Sequence, residues 1–112
     1  MATVYLALLG REGLRRLAAR NLAKAEYAKA RVRASAGLAL PLGAPTFNEF
    51  VVGVRGGAAA ALARARDAGI VGGLDLAPFA PELGPAVLVC TTELATRAAI
   101  DRLVAALAGA EA

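Results

Sequence analysis

Between Arg11 and about Arg33, Leu14, Leu17, Ala18, Leu22, Ala25 and Val32 recur at helical spacing and predict a long helix with one apolar stripe. Ala2 to Leu9 reads as the tail of an earlier helix, stopped by Gly10, whose missing Cβ suits a helix end. No Ser, Thr, Asp or Asn caps that first helix, which leads us to expect further sequence upstream of it. Polar and apolar positions then change period. From Phe47 to Val54 they alternate, and a strand would turn Asn48, Phe50, Val52 and Val54 to one face and Phe47, Glu49 and Val51 to the other.

A short extended segment over Gly37 to Leu42 precedes that strand, and an alanine-rich helix running to about Ala68 follows the Gly56-Gly57 turn, with Leu62 its single large apolar anchor and Gly69 its stop. Extended chain resumes at Ile70 and Val71. Three prolines then block regular structure in the loop LDLAPFAPELGP. Ala86 to Thr91 is an apolar run of the kind expected of a strand covered on both faces. Thr96 has the place of an N-cap for a last helix with Ile100, Leu103, Val104 and Leu107 on one side. The order predicts a two-layer α+β fold: a short, mostly antiparallel sheet with helices on one side. Residues 1–35 read as lead-in helices and 36–112 as a small α/β domain.

Composition narrows what such a domain can do. The sequence is 58% hydrophobic but has only two Tyr, three Phe and no Trp, so the core must be thin and built on Leu, Val and Ala. The longest uncharged run, Ala34 to Asn48, is broken by prolines and falls short of the ~18 apolar residues of a membrane helix. Without a leader-like N-terminus the expected compartment is the cytoplasm. The single cysteine, Cys90, reads as a small buried hydrophobe, since the sequence has no histidine to activate it.

Charge is unevenly spread. Residues 1–55 carry nine basic and three acidic side chains, and residues 56–112 carry four and six. Arg16, Arg20 and Lys24 follow one another every four residues, a row that is either a solvated face or a docking surface for an acidic partner. We expect no nucleic acid and no membrane partner, because the row lacks aromatic platforms or a reader motif.

Chemistry is sparse. With no His and one Cys, no metal set can be assembled. Glycines around Arg55 match no phosphate loop and read as a turn, although an anion at the following helix N-terminus remains open. Both lysines, Lys24 and Lys29, fall on the polar side of the long helix, poor positions for a desolvated Schiff-base lysine. Asn48 is either a satisfied turn residue or part of a polar site, and Glu49 beside it shares that choice. No catalytic or cofactor-binding residue is assigned within this sequence.

The stretches ATVYLALLG with EGLR after it, NLAKAEY, FNEFVV, GIVGGLDL, and AVLVC followed by TTE resemble, in order and spacing, the C-terminal segment of the glycine cleavage system P-protein, subunit 1. That family comprises glycine dehydrogenases (decarboxylating) of the pyridoxal-phosphate fold type I superfamily. The resemblance covers nearly the whole sequence. It implies a small C-terminal domain of a larger enzyme, a fold type I partner domain, and pyridoxal phosphate carried on a lysine of the companion subunit 2. It further implies decarboxylation of glycine and passage of the aminomethyl group to the lipoylated H-protein. Asn48 and Glu49 would then stand near the parent's active-site cleft, and Arg16, Arg20 and Lys24 would face the H-protein or the companion subunit. The loop APFAPEL departs from the pattern, with Phe79 alone where a tyrosine-containing loop is expected. The competing reading is a free-standing α+β module that binds a small ligand or associates with itself.

Overall fold

The computed structural model describes residues 1–109, so the last three residues of the expected 36–112 domain lie outside the described residues. The chain forms helix α1 (Ala2–Arg33), strand β1 (Leu38–Ala39), strand β2 (Glu49–Val54), helix α2 (Ala58–Asp67), strand β3 (Leu74–Asp75), a 3-10 turn (Pro81–Leu83), strand β4 (Ala86–Cys90) and helix α3 (Arg97–Ala108). The two expected N-terminal helices join into one element. Gly10, at φ 66° and ψ −179°, puts a non-helical residue between them, a conformation that a side chain would oppose.

The strands lie in the order β1-β2-β4-β3, and every pairing is antiparallel. In the central pair Phe50 stands opposite Val89 and Val52 opposite Val87, so the period-two pattern of β2 meets its match in β4. Phe50, Val52, Val54, Val87 and Val89 are buried beneath the second half of α1, α2 and α3. No helix among the described residues covers the other sheet face, although Ala86 on it is fully buried. There Val51, Leu88 and Leu74 line up across three strands, the first two half-buried and Leu74 exposed. The expectation that β4 is covered on both faces is therefore corrected: the helices lie on one side only. Cys90 is corrected with it, because it ends β4 on the open face and is exposed.

Small residues set the distances in the covered layer. Ala58, Ala61 and Ala65 form the buried side of α2, with Leu62 only partly buried, so alanines rather than the leucine seat this helix. At φ 135°, Gly73 passes so close to β4 that a Cβ there would lie 2.3 Å from the Leu88 carbonyl oxygen. Only glycine permits that approach. Arg64 of α2 donates from Nε to the Ala106 carbonyl (2.8 Å) and from its terminal nitrogen to the Leu107 carbonyl (3.0 Å). A cation thus satisfies the exposed carbonyl end of α3, where the helix dipole is negative. At the other end of α3, the Thr96 hydroxyl accepts from the Ala99 N–H at 3.1 Å, as the sequence leads one to expect. Ile100, Leu103, Val104 and Leu107 form the buried side of this helix.

The stripe of α1 is used only in part. Its buried residues are Asn21, Ala25, Ala28, Lys29 and Val32, while Leu14 and Leu22 are exposed and Leu17 is half-buried. The core therefore crosses residue 35, drawing Ala25, Ala28 and Val32 from the lead-in segment. The reason is reach: the helix continues past the edge of its own sheet, and its first twenty residues have little of this chain to lie against.

Candidate functional site

Three places gather polar chemistry. The first is the entry of β2. Asn48 is half-buried and precedes the strand; its carbonyl accepts from the Thr91 N–H at 2.9 Å and so extends the β2–β4 ladder by one bond. Its side-chain amide makes no hydrogen bond among the described residues. Glu49 is exposed and stands opposite Cys90 on the open sheet face. Glu49 and Cys90, but not Asn48, border a hollow of about 390 Å³ that Val71, Gly73, Leu74 and Leu88 line on its other side.

The second place surrounds Lys29. Contrary to expectation, this lysine lies on the buried side of α1, 8% exposed. Its ammonium donates to the Glu26 carboxylate (2.9 Å) and to the Thr46 hydroxyl (3.1 Å), which ties the loop before β2 down onto α1. A buried ammonium needs such a pairing. The same helical period that puts Ala25 and Val32 inward puts Lys29 there as well, and burial of its aliphatic stem offsets part of the cost.

The third place is the contact between α1 and α3. Tyr27 donates its hydroxyl to both carboxylate oxygens of Asp101, at 2.9 and 3.1 Å, and Arg31 Nε donates to the same carboxylate at 2.9 Å. The hydrogen bond to Asp101 raises the Tyr27 phenol above its ordinary value; desolvation and the Asp101 charge add to this, while Arg31 and Arg97 oppose it. The Arg97 guanidinium lies over the Tyr27 ring, 5.2 Å from its centroid. Beside this cluster runs a cleft of about 210 Å³ lined by Arg20, Ala23, Lys24, Tyr27, Arg97 and Ile100.

Of the sequence-predicted basic row, Arg16 and Arg20 are exposed, and Lys24 is half-buried with its ammonium donating to the Glu93 carbonyl. Arg20 and Lys24 thus share the cleft, while Arg16 lies one turn away in a neighbouring hollow of about 170 Å³ that Arg20 also borders. Asn48 and Glu49 adjoin each other at the entry of β2, at a place separate from the basic row. Arg97, Tyr27 and Asp101 escaped the sequence reading. Tyr27 stands some seventy positions from the other two, and only the packing of α3 on α1 unites the three. The N-cap at Thr96 was the one available signal, since it fixes Arg97 in the first turn of its helix.

No family model matches the chain. A probable glycine dehydrogenase (decarboxylating) subunit 1 from Sorangium cellulosum (strain So ce56) is 46% identical over 108 residues, which is 96% of this chain. The corresponding protein of Moorella thermoacetica is 43% identical over the same length. Nearly the whole chain is homologous to one region of that subunit. It spans about a quarter of the length of these relatives, 24% in both cases. Among solved structures, the crystal structure of glycine decarboxylase (P-protein) of the glycine cleavage system, in inhibitor-bound form, matches 95% of this chain and 24% of that one. The TM-score is 0.82 at 28% identity. The α+β layer described above is thus the fold of a corresponding region of a glycine decarboxylase.

Among the described residues no group of three or more His, Cys, Asp and Glu converges as a metal site. No helix among them is long and apolar enough to cross a membrane.

Proposed function

We propose that this chain is the small C-terminal part of a glycine dehydrogenase (decarboxylating) subunit 1, and that it supplies scaffold and contact surface to an enzyme whose reacting groups lie on other segments. The observation that carries the reading is the match over 96% of the chain to proteins of that name. In the proposed assembly, of the fold type I class and cytoplasmic, glycine is decarboxylated and its aminomethyl group passes to the lipoylated H-protein. Pyridoxal phosphate belongs there to the companion subunit 2.

The residues present do not fit that cofactor. Lys29 is buried but engaged by Glu26 and Thr46, and Lys24 donates to the Glu93 carbonyl, so neither amine stands free in a cavity toward a carbonyl carbon. No step of the reaction is assigned to this chain.

What the chain offers instead is apolar surface. Val4, Tyr5, Leu6, Leu8 and Leu14 are exposed along the first part of α1, as is Leu74 on the open sheet face, where Val51 and Leu88 are half-buried. In the proposed assembly the segments that the relatives carry beyond the matched region cover the α1 stripe. A free-standing module would have to leave these side chains in water. Glu49, at the rim of the open face, and Asn48, which precedes it at the strand entry, would then stand near the cleft between domains.

The test is to co-express the chain with the remaining region of a relative-length subunit 1 and with subunit 2, and to assay exchange of the glycine carboxyl carbon with carbon dioxide. Exchange is expected from the full set and none from the 112-residue chain by itself. Release of carbon dioxide from glycine by the isolated chain would overturn the reading. In the same assay, Asn48→Ala is expected to slow exchange without lowering the melting temperature; unaltered exchange would remove Asn48 from the cleft.

A further inference from the structure

We propose that the cleft between α1 and α3 is a docking site for an acidic segment of a protein partner, one of whose glutamate side chains enters between Arg20 and Arg97. Three cations, Arg20, Lys24 and Arg97, border this one cleft of about 210 Å³. Among the described residues no carboxylate pairs with any of the three. Lys24 meets only a neutral carbonyl, that of Glu93. Asp101, the carboxylate at the margin, is already taken by Tyr27 and Arg31. No ion pair to Arg20 or Arg97 forms among the described residues, from Glu93 or any other carboxylate. Concentrating like charges in this way is unfavourable until an anion enters.

The shape of the site selects among anions. Arg97 rests with its guanidinium over the Tyr27 ring, which fixes the group while leaving its N–H edge for an acceptor. Ala23 and Ile100 provide an apolar wall between the cations. A glutamate lays its methylenes on that wall and its carboxylate against the guanidinium, in the fork geometry such pairs favour. Inorganic phosphate would meet the same charges yet leave the wall bare. A nucleic acid would need an open ring on which to stack, and the one ring in the cleft is covered by Arg97.

The row continues. Arg16 and Arg20 border the adjoining hollow with Leu9, Gly13 and Leu17, one helical turn towards the N-terminus. A partner segment with acidic residues about 6 Å apart would match arginines at four-residue spacing. At about 100° per residue, Arg16 and Arg20 also stand roughly 160° and 120° around the helix from Leu14. Covering Leu14 would therefore leave this face free.

The proposal does not rest on the glycine decarboxylase reading, and its test has a separate readout. A glutamate-rich dodecapeptide is titrated into the 112-residue chain at low and physiological salt by calorimetry. Arg20→Glu, Arg97→Glu and, as control, Arg66→Glu are compared with it. Arg97 occupies the first turn of α3, where a glutamate favours the helix, so this variant keeps its fold. Binding is expected to weaken about tenfold in each of the first two variants, to be unchanged in the control, and to fall with salt. Absence of peptide binding at low salt would overturn the proposal, as would binding by Arg20→Glu or Arg97→Glu as tight as by the unaltered chain. So would displacement of the peptide by an equal concentration of phosphate, or tighter binding of a single-stranded oligonucleotide than of the peptide.

Discussion

The two halves of α1 differ in what lies opposite their apolar residues. From Asn21 to Arg33 the apolar residues that meet the sheet layer are Ala25, Ala28 and Val32, the last 1% exposed. Before Asn21 the large apolar residues find little of this chain opposite them, and Leu6, Leu8 and Leu14 are exposed. Small residues belong where a neighbour is already near. Large residues without one mark surface made for a partner segment, since covering each leucine contributes about 1.5–3 kcal/mol. One half of the helix is thus part of a finished core and the other half is a tongue extended from it.

Removing a side chain from each region gives the largest expected effects and the sharpest contrast. Leu107 is 1% exposed within the core, and Leu107→Ala should cost about 2–5 kcal/mol in denaturant unfolding of the 112-residue chain. Leu14→Ala should change the same measurement by no more than about 0.5 kcal/mol. In a polypeptide of the relatives' full length, the cost at Leu14 should rise above about 2 kcal/mol. An unchanged Leu14 cost there would break the comparison.

Legibility follows the same division. The β2 alternation, the Thr96 cap and the α3 face were readable because each is decided by neighbours a few residues away, all of which this chain contains. The stripe over Leu14 and Leu22 was readable as a pattern, but its burial was not, because burial depends on what lies opposite. Leu88 and Cys90 misled for a related reason: an apolar residue on the uncovered sheet face looks, in sequence, like one between two layers. Lys29 misled by its charge, for only the tertiary fold brings Thr46 within reach of its ammonium. The cleft at Arg20 and Arg97 needed two helices far apart in the chain, and half of it, the row through Arg16, was visible beforehand. FNEFVV and its companions carried the family resemblance independently of all these packing questions.

A smaller effect sharpens the contrast at helix ends. α3 begins with a side-chain cap and α1 begins without one. Thr96→Ala leaves the Ala99 N–H without its partner and should lower stability by about 1 kcal/mol, read as a drop in melting temperature. A change at Met1 has no comparable bond to remove.

The smallest effect concerns the two tyrosines of α1, which divide as the halves do. Tyr5 is exposed on the tongue, whereas Tyr27 is bound through its hydroxyl to Asp101 of α3. That bond, aided by desolvation and by the Asp101 charge, raises the Tyr27 phenol, which means the folded chain holds this proton more tightly than the unfolded chain does. The resulting stabilisation is complete below the unfolded value near pH 10 and is lost as pH rises through the higher folded value, because the unfolded chain releases its proton first. Tyr27→Phe should therefore abolish one component of the loss of stability that sets in as pH rises above about 10, while Tyr5→Phe should leave it in place. Equal alkaline profiles for wild type and Tyr27→Phe, measured by thermal unfolding, would show that the Asp101 bond does not couple the packed half of α1 to α3.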